Sequence, residues 1–465
     1  MPASLQYDII QRNTMTQERA MQLLKIGISG VRGIVGQTII PELVLSFASA
    51  FGTFLGGGCV LIGRDTRPSG PMLLEACKSA LVSTGCDVMD LGVCPTPVIQ
   101  FMVRHLKARG AISISAGHNG KDWNALTFIN SDGTYLSSFQ GEEVLDLYHL
   151  GQFTSVPIER LGRVSPFNDW PGIYFEALSG FVDVKAINRA GLLIVVDCCN
   201  GAGAKLVEDF GEFMGCQVVA LNNEQNGYFP HDPEPCIRNG QQVASVVEIL
   251  QADAGFLTNS DVSRISLVAA GDAILSEEYT FPLVAKAYLG RKKGPVVTTM
   301  MTSSMVDEVA RRMNCPLFRT RVGQSHVVET MILEDAVIAG EGSGGVAIPE
   351  FQPAFDGFLT MALVLEAMTE NKLKDLAESL PVRHLVKEQI GCPLHRVYSV
   401  VSEIKMIHPG EWQETNDGIR LDTGSGWIHL RASGTEPLVR VYVEDELKEK
   451  AREKADRIIR YFPNW

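Results

Sequence analysis

The sequence lacks the excess of positive charge that a general grip on nucleic acid or an anionic membrane requires. Its 54 acidic residues outnumber 41 basic ones, leaving a formal net charge of -13. That balance still permits a local basic pocket for a small anion. Paired cysteine spacing is also missing. The ten cysteines are scattered, with one adjacent pair, Cys198 and Cys199, and no CxxC. This argues against a disulfide framework or a zinc site and for buried thiols in a reducing compartment, taken as the cytoplasm. There is no apolar core of a signal peptide, because the stretch through Lys25 carries Asp8, Arg12, Glu18 and Arg19. The uncharged run at 43–63 is divided by Gly56, Gly57 and Gly58 into a short helical pattern and a strand-like CVLIG, so no membrane span is expected. The expected partner is a small molecule or another protein.

What is present is length, apolar content and repetition. With 465 residues, 45% hydrophobic and 20% charged, the chain is a globular protein of two to four domains. Short β-branched runs alternate with longer amphipathic stretches, the pattern of α/β units with mostly parallel strands. This pattern returns three times. GCVLIGRDTR, CDVMDLGVCPT and GAISISAGHN come first; GLLIVVDCCNGAG, CQVVALNNE and DAGFLTNSD follow; GPVVTTMMTSS, CPLFRTRVG and DAVIAGEGSG complete the set. Each triplet places a polar loop at or soon after its third strand, near residues 115–120, 258–264 and 340–345. Open parallel sheets bind ligands at such positions. From about Arg383 the pattern changes: GWIHLRASGTEPLVRVYVE reads as strand, loop and strand, followed by a charged helix over 444–461. The expectation is three similar α/β domains with mixed, mostly parallel sheets, over 1–160, 161–270 and 271–382, and a smaller C-terminal α+β domain over 383–465, all around one central cleft.

The C-terminal loop carries the strongest chemical signal. Arg431, Ser433, Gly434, Thr435 and Arg440 combine two cations, two hydroxyls and a glycine that lets backbone amides approach an anion. On pattern alone a phosphate loop and a solvated hairpin fit equally well.

RASGTEPLVRVYVE resembles the phosphate-binding loop of the α-D-phosphohexomutases, the family of phosphoglucomutases, phosphomannomutases and phosphoglucosamine mutases. GEGSG at 340–344 resembles that family's sugar-binding loop, which assigns sugar contacts to Glu341 and Ser343. GISGVRG at 27–33 resembles its N-terminal segment, with Ser29 and Arg32 in the cleft. GRDTRPSG, CPTP, DCCNGAG, PEP and FDG match in order, so the resemblance spans nearly the whole chain. It implies transfer of phosphate between the C1 and C6 hydroxyls of a hexose, using a phosphorylated serine, a divalent cation and a general base.

Those three parts are where the sequence departs from the resemblance. The family's Thr-Ala-Ser-His-Asn-Pro reads Ser115-Ala116-Gly117-His118-Asn119-Gly120, which puts Gly117 at the nucleophile and keeps His118 and Asn119. Its metal loop, Asp-Gly-Asp-Ala-Asp-Arg, reads Asn259-Ser260-Asp261-Val262-Ser263-Arg264, leaving one carboxylate. Magnesium prefers hard anionic oxygens, so no cofactor beyond weak magnesium binding at Asp261 is expected, and an Asp261–Arg264 ion pair or cap is the simpler reading. The family's lysine is Thr127; Gly345 and Gln324 are further departures in the cleft.

The resulting expectation is a binder of a hexose phosphate or related phosphosugar without ordinary serine- and magnesium-dependent transfer, acting as a sensor or regulatory subunit with a protein partner or as a homodimer. The alternatives are an active phosphohexomutase, or a different phosphosugar reaction using His118. Ser115 would be displaced from the donor position by roughly 6–7 Å along an extended segment, too far for in-line transfer.

Overall fold

A computed structural model describes residues 24–27, 29–271, 273–407, 412–415, 417–433 and 438–462. Its first sheet runs β1 (Lys25–Gly27), β2 (Gly30–Ile34), β6 (Trp123–Asn130), β5 (Gly110–Ile114), β3 (Gly58–Arg64), β4 (Cys86–Val93) and β7 (Val164–Pro166). The second runs β12 (Ala273–Ile274), β11 (Ile265–Ala269), β10 (Ala254–Thr258), β8 (Leu193–Asp197) and β9 (Gln217–Leu221). The third runs β14 (Leu317–Thr320), β13 (Val296–Thr299), β15 (Ile338–Gly340) and β16 (Val346–Ala347).

The three sequence triplets are these three sheets, built alike. In each, the first strand of the triplet lies between the second and third and pairs with both in parallel: β3 with β4 and β5, β8 with β9 and β10, β13 with β14 and β15. Every residue of β5, β10 and β13 is buried. Such strands are covered on both faces, which explains why they read as continuous apolar runs. Beside each third strand lies a fourth, antiparallel one, β6, β11 or β16, that the triplet pattern did not announce. It returns the chain immediately after the polar loop, so each loop is pinned at both ends. Two elements pass the expected boundaries: β7 joins the first sheet beyond residue 160, and β12 joins the second beyond 270.

The uncharged run at 43–63 divides as expected. The helix Pro41–Leu55 starts with proline in its first turn and stops at Gly56, whose φ of 68° is left-handed, and β3 follows. Phe47 and Phe51 of this helix stack on Phe128 of β6, fixing helix to sheet. No helix among the described residues is long and apolar enough to cross a membrane.

The C-terminal domain is an antiparallel sheet ordered β17 (His384–Gly391), β21 (Leu438–Asp445), β20 (Gly426–Ala432), β19 (Gly418–Asp422) and β18 (Gln413–Thr415). Its last helix is Lys448–Ile459, so it begins later than the expected 444. The reason is pairing. β21 is held on both edges, by β17 and β20, as far as Asp445. Glu444 is fully buried there and accepts the Ser304 N–H at 3.0 Å, while Asp445 pairs with Lys454. These charges join domains and elements; they do not begin a solvated helix.

Candidate phosphosugar site

The loops after β5, β10 and β15 converge on two adjoining cavities, of about 860 and 400 Å³, that share His118 and Arg264. Glu341, Ser343 and Arg440 line the larger one; Ser29, Arg32, Gly117, Asn119, Thr127, Asp261 and Ser263 line the smaller. Arg431 stands opposite Arg440 on the β20–β21 pair, so both cations project from one face. Ser433 is buried and its N–H donates to Leu438 O at 3.0 Å. Gly434 and Thr435 lie outside the described residues.

The 115–120 loop is held from below by Arg67, a fully buried guanidinium. Its Nε lies 2.9 Å from Asp65 Oδ2, and its terminal nitrogens donate to the carbonyls of Gly117, Asn119 and Gly120 at 3.0, 2.7 and 2.7 Å. Ser260 Oγ adds a 2.8 Å bond to Gly117 O from the neighbouring domain. Asn119 turns its amide back to Ala116 O at 2.7 Å, closing the loop. Ser115 lies past the end of β5, and its hydroxyl donates to Asp65 Oδ2 at 2.7 Å while accepting the Gly117 N–H. It belongs to the loop's scaffold. Gly117 has a left-handed φ of 54°, and a Cβ built on it would come no closer than 3.6 Å to Asn259 Nδ2 and Asp261 Oδ2.

Asp261 does not form the ion pair with Arg264 that was one of its two expected roles; it acts as a cap within its own loop. Its Oδ1 accepts from Asn259 Nδ2 at 2.8 Å, Ser263 Oγ at 2.7 Å and Ser263 N at 3.2 Å. Asn259 Oδ1 in turn accepts the Arg264 N–H at 3.1 Å. The loop is thus closed by hydrogen bonds within itself, most of them converging on its one carboxylate. A magnesium ion of the kind the resemblance implies fits this donor set poorly. One carboxylate stands where three would, and three hydrogen bonds already converge on one of its oxygens. Among the described residues, no three His, Cys, Asp or Glu side chains are grouped to hold a metal.

Arg264 instead reaches across the cleft. It bonds Ser343 Oγ through Nε at 3.0 Å, approaches Glu341 Oε2 at 3.4 Å and meets His118 Nδ1 at 3.4 Å. One side chain of the second domain therefore organises the first and third. Burial pushes His118 down to about 3, and Arg264, Arg32, Arg67 and Arg440 add to the depression. The imidazole is neutral at physiological pH, with Nδ1 facing a guanidinium donor. Four arginines acting on one ring mark a centre of positive potential in a chain of net negative charge, the local basic pocket that composition allowed.

Arg264 and Arg67 do not stand out in the sequence as organisers of the cleft. RDTR displayed Asp65 and Arg67 two positions apart, a spacing that suits an internal pair, but nothing in sequence shows that an arginine will collect three carbonyls from a loop fifty residues away.

Four profiles of the phosphoglucomutase/phosphomannomutase family match the chain: α/β/α domains I, II and III at residues 23–154, 173–271 and 276–384, and the C-terminal domain at 396–460. A phosphoglucomutase/phosphomannomutase of Thermococcus kodakarensis is 35% identical over 92% of this chain and 96% of its own. The chain belongs to this family. A probable phosphoglucosamine mutase of Methanopyrus kandleri is 33% identical over 93% of this chain and 96% of its own. Among solved structures, a phosphoglucomutase/phosphomannomutase family protein from Burkholderia thailandensis has the same fold, with a TM-score of 0.82, 24% identity and coverage of 95% of this chain and 97% of that one.

Proposed function

We propose that this family member binds a hexose phosphate in the central cleft and does not carry out ordinary serine- and magnesium-dependent phosphate transfer. The observation that carries the reading is the pairing of two loops. Gly117 offers no oxygen to carry phosphate, and the facing Asn259, Asp261 and Ser263 satisfy one another where transfer would need a cation. Thr127, on the same cavity wall, cannot supply the ammonium charge of the family's lysine.

The binding half is supported by Glu341, Ser343, Arg264 and Arg440 on one cavity and by Arg431 beside Arg440 on the hairpin. Arg431 and Arg440 would grip the phosphate, Glu341 and Ser343 the sugar hydroxyls, with neutral His118 beneath them. Ser29, Arg32 and Asn119 would complete the wall of the smaller cavity. Ten free cysteines, six of them buried, support a reducing compartment such as the cytoplasm. A role as sensor or regulatory subunit follows from binding without turnover.

A second reading, an active mutase, is favoured by the mutase names of relatives that match along nearly the whole chain. Phosphorus NMR separates the two. With magnesium and a hexose bisphosphate primer, the first reading expects no exchange between 1- and 6-phosphates, while calorimetry shows binding of the monophosphate. Turnover at an ordinary mutase rate would establish the second reading; absence of binding by every hexose phosphate would remove the first.

A further inference from the structure

The proposed phosphate and sugar ends of the cleft lie on different domains, yet one carboxylate touches the frame of both. Asp417, in the turn between β18 and β19, places Oδ1 2.8 Å from Arg431 Nε. Its Oδ2 accepts the N–H of Val322, in the third domain, at 3.2 Å. The next amide, Gly323 N–H, donates to Glu341 Oε1 at 2.8 Å. Adjacent peptide groups thus serve two carboxylates, one from each domain. Beyond Glu341 the chain of contacts continues to Arg264 and Ser343.

The geometry is restrictive. The Asp417 turn is fixed from within, since its own N–H donates to Thr415 Oγ1 at 3.2 Å. Gly323 has a φ of 122°, a conformation that L side chains rarely adopt, and it caps the helix Gln324–Leu333. The Asp417 and Glu341 side chains retain only 12% and 7% of their exposure, so their charges are poorly screened.

We infer that Asp417 is a positioning residue that couples the two ends of the cleft: it holds Arg431 and the Val322–Gly323 amides together, so that ordering one end of a phosphosugar strengthens the hold on the other. This rests on the phosphosugar reading above. Glu341 and Arg431 contact ligand; Asp417 acts through them.

The test is Asp417→Asn, which keeps the shape and removes the charge. Calorimetry with glucose 6-phosphate is expected to show an affinity loss of about tenfold, within the range of ordinary site-to-site coupling. Combined with Glu341→Gln, the double variant is expected to lose less than the product of the two single losses. Losses that multiply, or a variant that binds as tightly as the parent, overturn the inference. A second measurement needs no sugar. Hydrogen exchange in the ligand-free protein should quicken at both Val322 and Gly323 in Asp417→Asn, and likewise in Arg431→Gln, which covers the case of a poorly folding first variant. Unchanged exchange at these amides also overturns the inference. If the parent protein fails to bind glucose 6-phosphate, that result counts against the proposed function for this sugar, while the exchange experiment still decides the role of Asp417.

Discussion

Arg67 gives its guanidinium to the protein itself, donating to three loop carbonyls besides its pair with Asp65. Breaking a buried pair leaves the partner charge uncompensated, a loss of about 3–5 kcal/mol. Arg67→Leu is therefore expected to lower unfolding free energy by about that amount in urea titration, with the 115–120 loop losing protection from exchange. Arg67→Lys should rescue little, because an ammonium cannot reproduce the planar fork. Gly117 is the opposite case, a position with room to spare. A Cβ there meets nothing nearer than 3.6 Å, although its φ of 54° costs an L residue about 1–2 kcal/mol. Gly117→Ser is expected to fold with a slightly lowered melting temperature and to show no 1- to 6-phosphate exchange by phosphorus NMR. Recovery of exchange from this one change would mean that Asn259, Ser263 and Thr127 are no obstacle.

The 259–264 segment shows how a loop that resembles a metal site can stand without metal. Asn259 and Ser263 place donors on Asp261, so one carboxylate is stabilised by dipoles. Magnesium and EDTA are accordingly expected to leave the melting temperature of the protein unchanged. In Asn259→Asp with Ser263→Asp, three carboxylates would repel one another, and the melting temperature should drop in EDTA and recover with magnesium as binding to the folded state adds stability. A double variant indifferent to both would show that the loop backbone no longer follows a metal-binding path. This element also illustrates what sequence could disclose. Loops after every third strand were legible because fully buried strands such as β5 and β10 leave apolar runs that end abruptly at polar residues. The antiparallel return strand of the third sheet was not, since β16 has only two residues and its register is set by β15. Asp261 was recognisable as a candidate, but its partners were misread, because Arg264 could pair with a carboxylate either three residues or one domain away. Folding chose Glu341.

At the scale of the whole molecule, four titratable groups, one taken from each domain, are shifted far from their ordinary range and shape the pH dependence of stability. In the C-terminal domain, burial pushes His429 down to about 3, aided by Arg420 and Arg431. His118 in the first domain behaves alike. A depressed histidine contributes stability that is fully present above its unfolded value of 6.5 and is lost as pH falls towards 3. Asp356, buried at the junction of the second and third domains and bonded by Tyr174 at 2.7 Å, is raised by burial to about 6. Its contribution has the reverse sign, present below 3.8 and lost as pH rises through 6. Between pH 4 and 6 the two histidines outnumber the single aspartate, so these groups leave about one net proton in favour of the unfolded state, or about 1.4 kcal/mol per pH unit lost on acidification. On the alkaline side His231 governs. Burial alone would lower it, but Asp197, 3.1 Å from Nε2, and Cys199 together raise it to about 11. That contribution is complete below 6.5 and declines as pH climbs towards 11. The melting temperature is therefore expected to peak near pH 6.5 and to fall on both sides. His231→Gln, measured by calorimetry at pH 6.5 and 9, should flatten the alkaline limb and leave the acid limb intact. An unchanged alkaline limb would show that the Asp197–His231 pair, at the back of the second domain's first loop, does not keep its proton in the folded protein.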